Sequence, residues 1–189
     1  MLSIPSTNFR SPAALARFLL VAAVALGLDL WTKAFAFQKL RIGGTDGMHE
    51  SRYYEFIPGW LRFETITNPG AVFGLGNGLR VIFIAVSIAA IIFLFFLFAK
   101  SGRQWFYQII LGMLLAGVLG NLYDRIVFGE VRDMIKIFPR WPNLFPWIFN
   151  VADTLLCTGV GLMLLYTILR PAEPQTSTDP AAEPGSAKA

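Results

Sequence analysis

The sequence predicts a membrane all-α protein with four transmembrane helices. Of its 189 residues, 55% are apolar and only 15% are charged, whereas a soluble domain carries about 25% charged residues. About 20 apolar residues are needed to cross a hydrocarbon core, and a helix satisfies its own backbone groups where lipid offers no partner. Four windows meet this requirement, at residues 13–33, 80–99, 104–123 and 148–169.

The first window, AALARFLLVAAVALGLDLWTK, raises the alternative of a cleaved signal peptide. Two arginines would form its basic start, and Ala34–Ala36 would supply small residues for a cleavage site. Asp29 and Lys33 interrupt the stretch between the apolar core and that site, which favours a retained span. Because these two residues are four apart on one helix face, we predict that they form a structural ion pair.

The segments 38–79 and 124–147 lie on the same side of the predicted bundle and carry the polar motifs. In the first, WLRFETIT (60–67) alternates as a short strand does, and the glycines and proline of NPGAVFGLGNG (68–78) indicate a tight turn. In the second, the aromatic residues of IFPRWPNLFPWIF (137–149) favour an anchor at the lipid headgroups, with a substrate platform as the alternative.

The distribution of basic residues among the loops favours one orientation of the protein in the membrane. The short loop 100–104 holds Lys100 and Arg103 without an acid, which favours the cytoplasm for this loop and, with an even number of spans, for both termini. The opposite side carries more basic residues in total, spread over longer loops with acids among them. Charge alone therefore leaves the orientation open.

The remaining composition bounds the function. We divide the chain into a lead (1–12), a single four-helix domain (13–170) and a tail (171–189) whose Pro, Ala and small polar residues predict disorder. The net charge of +4 is scattered, so no nucleic-acid partner is expected. A lone cysteine, Cys157, and a lone histidine, His49, form no recognisable metal or nucleophile motif. No metal or cofactor is expected, and the oligomeric state stays open.

Asp124 is an acid at the exit of the third window, where the negative end of the helix dipole disfavours it. Such a group needs a partner near hydrocarbon. We favour a structural clamp with Arg125 or Arg132, with direct catalysis as the alternative. Asn121 lies one turn earlier on the same face.

Asp153 has two interpretations. In FNVAD (149–153), Asn150 is a good N-cap and Asp153 stands at the third helical position, so a capping box explains both residues. However, Asp133 reaches the same surface from the neighbouring loop, and two carboxylates there form a candidate acid/base pair for aspartic-peptidase chemistry. The alternative is a non-enzymatic proton-coupled carrier or lipid-binding membrane protein, although carriers place their acids near the bilayer midplane.

Four blocks in the sequence resemble those of lipoprotein signal peptidases (signal peptidase II), a family of bacterial membrane aspartic proteases. The resemblance extends from about residue 20 to 165. Its blocks are DLWTK (29–33), TNPGAVFG (67–74), GNLYDRIVFGEVRDMI (120–135) and FNVADTLLCTG (149–159).

This resemblance implies that Asp133 and Asp153 are the catalytic pair. The implied fold adds a small β-rich extracytoplasmic cradle, built largely from the first loop, to the four helices. The implied substrate is a prolipoprotein of the inner membrane, cut just before a cysteine that already carries diacylglycerol. The residues implied to support catalysis or bind substrate are Asn68, Gly70, Asn121, Asp124, Arg125 and Asn150.

Three positions depart from the family pattern. Pro69 follows the motif asparagine, and Val72 replaces a smaller residue. Arg132 stands directly before Asp133, where an apolar residue is common. A cation beside this carboxyl group can lower its pKa, so the sharing of a proton between the two acids stays open.

Overall fold

The structure is a computed structural model, and it describes residues 8–40, 53–70 and 79–169. Several predicted features lie outside these ranges: residues 1–7 of the lead, His49, most of the glycine-rich turn (71–78) and the tail (171–189).

Four helices in the described part of the chain are long and apolar enough to cross a membrane, which confirms the predicted spans. Helix α1 begins where the Ser11 side chain accepts a hydrogen bond from the Ala14 amide (3.4 Å) and Pro12 takes the first helical position, two standard signals for a helix start. The helices are α1 (Pro12–Lys39), α2 (Arg80–Lys100), α3 (Trp105–Val127) and α4 (Val151–Leu169).

Helix α3 is the centre of the bundle and packs against the other three. Most of α3 is buried inside the bundle, whereas most of the surface of α2 and α4 is exposed. Small residues permit the close approach, as is usual between membrane helices. Gly112 lies against α1, Gly117 lies against the Ala152 carbonyl of α4, and Gly159 of α4 lies against Leu114.

The end of α3 differs from the expectation. The helix continues past residue 123, so Asp124 lies inside its last turn. Phe128 caps the helix by donating its amide to the Asp124 carbonyl (2.8 Å), and Gly129 then adopts φ 86°, which glycine adopts without a steric cost. Because of this reversal, the chain turns back at once into a strand, where a charged loop was expected.

That strand, β3 (Val131–Ile137), completes a three-stranded antiparallel sheet. The predicted strand is present as β2 (Leu61–Asn68), and β1 (Tyr53–Ile57) precedes it. Two of the three strands therefore come from the first loop, as expected, and the order is β1-β2-β3. Sequence reasoning missed β1 and β3.

Backbone hydrogen bonds fasten β3 to the beginning of α4. Ile135 and Phe149 form an isolated antiparallel bridge, with both N–H···O distances between 2.8 and 3.0 Å. The predicted fourth span included this segment from residue 148, but the helix begins only at Val151 because Phe149 is engaged with the strand. The bridge brings the middle of β3 beside the first turn of α4.

The aromatic segment after β3 packs against the turn between β1 and β2. Trp60 makes edge-on contacts with Phe138 and Trp141, each with ring centroids 5.6 Å apart, while about half of the Trp60 side chain stays exposed. Exposed aromatic rings of this kind suit the headgroup layer. The anchor interpretation stays a prediction.

We expect Gly117→Ala to destabilise the bundle. The added Cβ would lie 2.7 Å from the Ala152 carbonyl oxygen and 2.7 Å from Leu156 Cγ, so α3 and α4 would have to separate. Overpacking of this kind costs about 1–3 kcal/mol.

Gly161→Ala is the matched control, because its Cβ would meet nothing within 4 Å. It should be neutral or stabilising by up to about 1 kcal/mol. Thermal unfolding of both variants in detergent measures the difference, and equal midpoints would contradict the close packing of α3 on α4.

Candidate functional site

Asp133 and Asn68 face one another because of strand register. Asp133 pairs with Ile66 across β2 and β3, and side chains alternate between the two faces of a strand. Asn68, two residues after Ile66, therefore projects to the same face as Asp133. Its Nδ2 donates a hydrogen bond to Asp133 Oδ2 (3.2 Å).

Asp153 lies in the first turn of α4 and forms the predicted capping box with Asn150. The Asp153 amide donates to Asn150 Oδ1 (2.9 Å), and the Asn150 amide donates to Asp153 Oδ2 (3.2 Å). The other carboxylate oxygen, Oδ1, accepts a bond from Asn121 Nδ2 of α3 (2.8 Å). Capping therefore accounts for one oxygen and leaves the other in contact with the bundle.

Asn150 joins the two acids. Its side chain is fully buried, and its Nδ2 donates to Asp133 Oδ1 (2.6 Å) and to Asn121 Oδ1 (3.2 Å). Because the same residue exchanges two hydrogen bonds with Asp153, Asp133 and Asp153 are held at one place by a single asparagine. The two acids singled out from the sequence thus meet in the fold.

The two carboxylates differ in environment. Asp133 is 2% exposed, whereas Asp153 is half-buried. Burial, together with the negative charge of Asp153, raises the pKa of Asp133 to about 7, against the opposing hydrogen bonds from Asn150 and Asn68 and the charge of Lys33. A carboxyl with such a pKa can hold a proton at neutral pH and can also release it.

The guanidinium of Arg132 does not face Asp133, and the pKa of Asp133 is raised and not lowered. Successive side chains of a strand point to opposite faces, so Arg132 lies on the other side of the sheet from Asp133. There its guanidinium stacks over the Phe128 ring (4.1 Å to the centroid) and binds Asp124.

Asp124 is fully buried and forms the expected clamp with Arg132, and the alternative pairing with Arg125 does not form. Arg132 Nη2 and Nε lie 2.8 and 3.1 Å from Asp124 Oδ1, and the Arg132 amide donates to Oδ2 (3.0 Å). Lys33 Nζ lies 3.2 Å from the same Oδ2. The clamp joins the last turn of α3 to the first residues of β3.

Arg125 binds the segment that follows β2. Its Nη2 donates to the Gly70 carbonyl (3.0 Å), and its guanidinium lies over the Phe83 ring of α2 (5.0 Å). The Gly70 amide in turn donates to Asn68 Oδ1 (3.0 Å). Arg125 and Gly70 together position Asn68, whose amide reaches Asp133.

The predicted pair of Asp29 and Lys33 is present at 2.8 Å, with both side chains fully buried. Both members of the pair also have partners that the i,i+4 spacing did not indicate. Asp29 Oδ1 accepts a hydrogen bond from the Ala152 amide at the start of α4 (2.8 Å), and Lys33 Nζ donates to Asn121 Oδ1 (3.2 Å). A lysine inside an apolar window was the signal for these additional partners, because such a charge is costly without several acceptors.

The chemistry available to this arrangement is that of carboxylates and amides. Among residues 8–40, 53–70 and 79–169, no group of three or more His, Cys, Asp or Glu side chains could hold a metal ion. Two neighbouring acids in unlike surroundings, one of them with a pKa near neutrality, suit the transfer of protons to and from a bound substrate.

Comparison with known proteins identifies the family. The model of signal peptidase (SPase) II matches residues 21–169. A lipoprotein signal peptidase of Rhodopirellula baltica is 35% identical over 181 residues, which cover 86% of this chain and 77% of the relative. Another, from Enterococcus faecalis, is 34% identical over 155 residues, covering 80% of this chain and 88% of the relative.

Two solved structures, both described as bacterial membrane enzymes, share the fold. The first, at 1.9 Å resolution, has a TM-score of 0.70 at 27% identity and covers 89% of this chain and 100% of that chain. The second, at 2.3 Å resolution, has a TM-score of 0.68 at 30% identity and covers 80% and 87% of the two chains.

The non-enzymatic carrier is not retained, since the family consists of peptidases. With four apolar helices and a family match over most of its length, this chain belongs to the signal peptidase II family and is a signal-peptide-removing protease, a multi-pass protein of the bacterial inner membrane.

Proposed function

We propose that Asp133 and Asp153 form the catalytic dyad and that the enzyme cuts diacylglyceryl-modified prolipoproteins just before the lipidated cysteine. The observation that carries the proposal is the hydrogen bonding of both carboxylates to Asn150, which makes them one unit. The dyad needs no metal or cofactor, since the two carboxyl groups supply both acid and base.

The different surroundings assign the roles. Asp153 accepts hydrogen bonds from the Asn121 side chain and the Asn150 amide, and it lies at the positive end of the α4 dipole, so its negative charge is stabilised. Asp133 is the more deeply buried, and burial favours its neutral form. Asp153 is therefore the base, and Asp133 holds the proton.

The reaction then follows from these roles. Asp153 takes a proton from water as the water oxygen bonds to the scissile carbonyl carbon, and the proton of Asp133 passes to the carbonyl oxygen. In the second step Asp153 gives its proton to the departing amine nitrogen as the C–N bond breaks. Asp133 recovers its proton from one hydroxyl of the diol as the carbonyl reforms.

The residues around the dyad act by positioning and by binding. Asn68, Asn121 and Asn150 orient the carboxyl groups through the hydrogen bonds described above. Arg125 holds Gly70 in place through the Gly70 carbonyl oxygen, and we expect the Gly70 backbone to contact the substrate. Asp124 with Arg132 acts structurally, as does Asp29 with Lys33.

The dyad belongs to the extracytoplasmic surface in this proposal. It lies where α3 ends and α4 begins, at the opposite end of the bundle from the short basic loop that holds Lys100 and Arg103. Basic residues in short loops favour the cytoplasm, so both termini are cytoplasmic. A lipid-anchored cysteine holds the scissile bond at the membrane surface, which fits a dyad at the edge of the spans.

Asp133→Asn and Asp153→Asn should each abolish cleavage of a diacylglyceryl-modified lipobox peptide. An asparagine keeps the shape but can neither donate an acidic proton nor activate water, so kcat should fall roughly 10²–10⁴-fold or more. The double variant should be little worse than either single variant, because the two groups act as one unit.

Glu64→Gln is the matched control for these variants. It makes the same carboxylate-to-amide change on β2, where Glu64 pairs with Arg62 and Lys136 at 3.6 and 3.7 Å. Its kcat should stay near that of the parent protein. Normal cleavage by either aspartate variant, with the fold intact, would refute the dyad.

The rate should decline as the pH rises through about 7. Asp133 must carry its proton to act as the acid, and its pKa is raised from 3.8 to about 7, so the active form predominates below this value and is lost above it. Initial rates between about pH 5 and pH 9 in one detergent measure this limb. A rate that stays constant up to about pH 9 would contradict Asp133 as the acid.

Reporter fusions should place the fusion points after residues 45 and 170 in opposite compartments, with residue 170 in the cytoplasm. A fusion after Gly102, between α2 and α3, is the control and should report the same compartment as residue 170. A periplasmic signal at Gly102 and residue 170 would reverse the proposed orientation.

A further inference from the structure

Lys33 is a buried cation in direct contact with Asn121, whose side chain binds Asp153. Its ammonium has three protons and meets three oxygens, Asp29 Oδ2 at 2.8 Å and both Asp124 Oδ2 and Asn121 Oδ1 at 3.2 Å. The side chain is 0% exposed. Ion pairing alone would need only the two aspartates, so the contact with Asn121 requires its own explanation.

We propose that Lys33 is a positioning residue for the dyad, which fixes the orientation of the Asn121 side-chain amide so that this amide presents its N–H to Asp153. The inference rests on the proposed function of Asp133 and Asp153.

The argument starts from what each group can donate. An ammonium can only donate, so the atom of Asn121 that faces Lys33 must be its oxygen. Asn150 Nδ2 donates to the same oxygen (3.2 Å). With Oδ1 committed to two donors, Nδ2 of Asn121 faces Asp153 Oδ1 at 2.8 Å.

The reversed amide would be unfavourable at both ends. Its NH2 group would face the donors of Lys33 and Asn150, and its oxygen would face a carboxylate oxygen of Asp153. Lys33, Asn150 and Asp153 therefore favour the same orientation of the Asn121 amide. Lys33 is the fully buried charged group among them, and it can only donate.

Lys33 also acts on the partner acid through its charge. The charged groups that act on Asp133 from the neighbouring elements are Asp153 of α4, Arg125 of α3 and Lys33 of α1, while Arg132 of β3 is turned away and paired with Asp124. The positive charge of Lys33 lowers the pKa of Asp133. Without it, Asp133 would keep its proton to a higher pH.

The test compares three variants that share Asp29→Asn. Asp29→Asn alone removes one carboxylate but leaves Lys33 bound to Asp124 and Asn121, and an asparagine at position 29 can still accept the Ala152 amide. Asp29→Asn with Lys33→Met then removes the cation without leaving the lost charge unbalanced. Asp29→Asn with Lys33→Gln also removes the cation but restores a neutral donor for Asn121.

We expect kcat of the methionine double variant to be at least about tenfold below that of Asp29→Asn, since Asp153 loses its fixed donor. KM should stay unchanged, because Lys33 is buried and does not meet substrate. The glutamine double variant should regain part of kcat. In both double variants the decline of rate with pH should move to higher pH than in Asp29→Asn, because the charge is absent from both.

Equal kcat and equal pH profiles for Asp29→Asn and the methionine double variant would show that Lys33 is only structural and would overturn the inference. If the methionine variant does not fold, the pH profile of the glutamine variant decides, and an unshifted profile overturns it. A failure of this inference can be distinguished from a failure of the proposed catalytic pair. Loss of cleavage in Asp133→Asn with no effect at Lys33 removes this inference alone, whereas cleavage by Asp133→Asn removes the proposed function.

Discussion

The site depends on a neutral cluster of four charges buried at the edge of the membrane. Two cations, Lys33 and Arg132, share two carboxylates, Asp29 and Asp124, at distances of 2.8 to 3.2 Å. Each member comes from an element that must be held in place: α1 supplies two, α3 one and β3 one. Asp29 also accepts the Ala152 amide and so includes α4. Removal of a single partner would leave an uncompensated buried charge, at a cost of about 3–5 kcal/mol.

Two asparagines connect this cluster to Asp133 and Asp153 by hydrogen bonds and give the two acids different partners. Asn121 and Asn150 each use a donor toward one carboxylate and an acceptor toward another group, so a chain of directed hydrogen bonds leads from Lys33 to Asp153 and Asp133. Two identical acids thereby acquire different surroundings. Such a difference is what lets one act as base while the other holds a proton.

The sequence predicts those parts of the fold that depend on local spacing. Four apolar windows indicate the spans, the i,i+4 spacing indicates the pair of Asp29 and Lys33, and the capping pattern indicates the contact of Asn150 with Asp153. The catalytic assignment came from resemblance to a family, since the composition alone also fitted a carrier.

The features that sequence reasoning missed depend on tertiary direction. Arg125 follows Asp124 directly, but neighbouring residues on a helix do not face each other, so the more distant Arg132 is the partner. Strand β3 has charges within it and lacks a clean alternation, because both of its faces bind other groups: one carries Asp133 and the other Arg132. Because Arg132 and Asp133 lie on opposite faces of β3, the charge of Arg132 does not offset the raised pKa of Asp133.

The bridge between Ile135 and Phe149 has a consequence for how this protein can diverge. The bridge joins the end of β3 to the residues just before α4, so residues 138–148 form an excursion, a loop whose two ends are held together. Loops with closed ends tolerate changes of length, because the added residues do not alter the spacing of the ends. Insertions or deletions in this excursion can therefore reshape the protein surface near β3 and α4 while the separation of Asp133 and Asp153 is conserved.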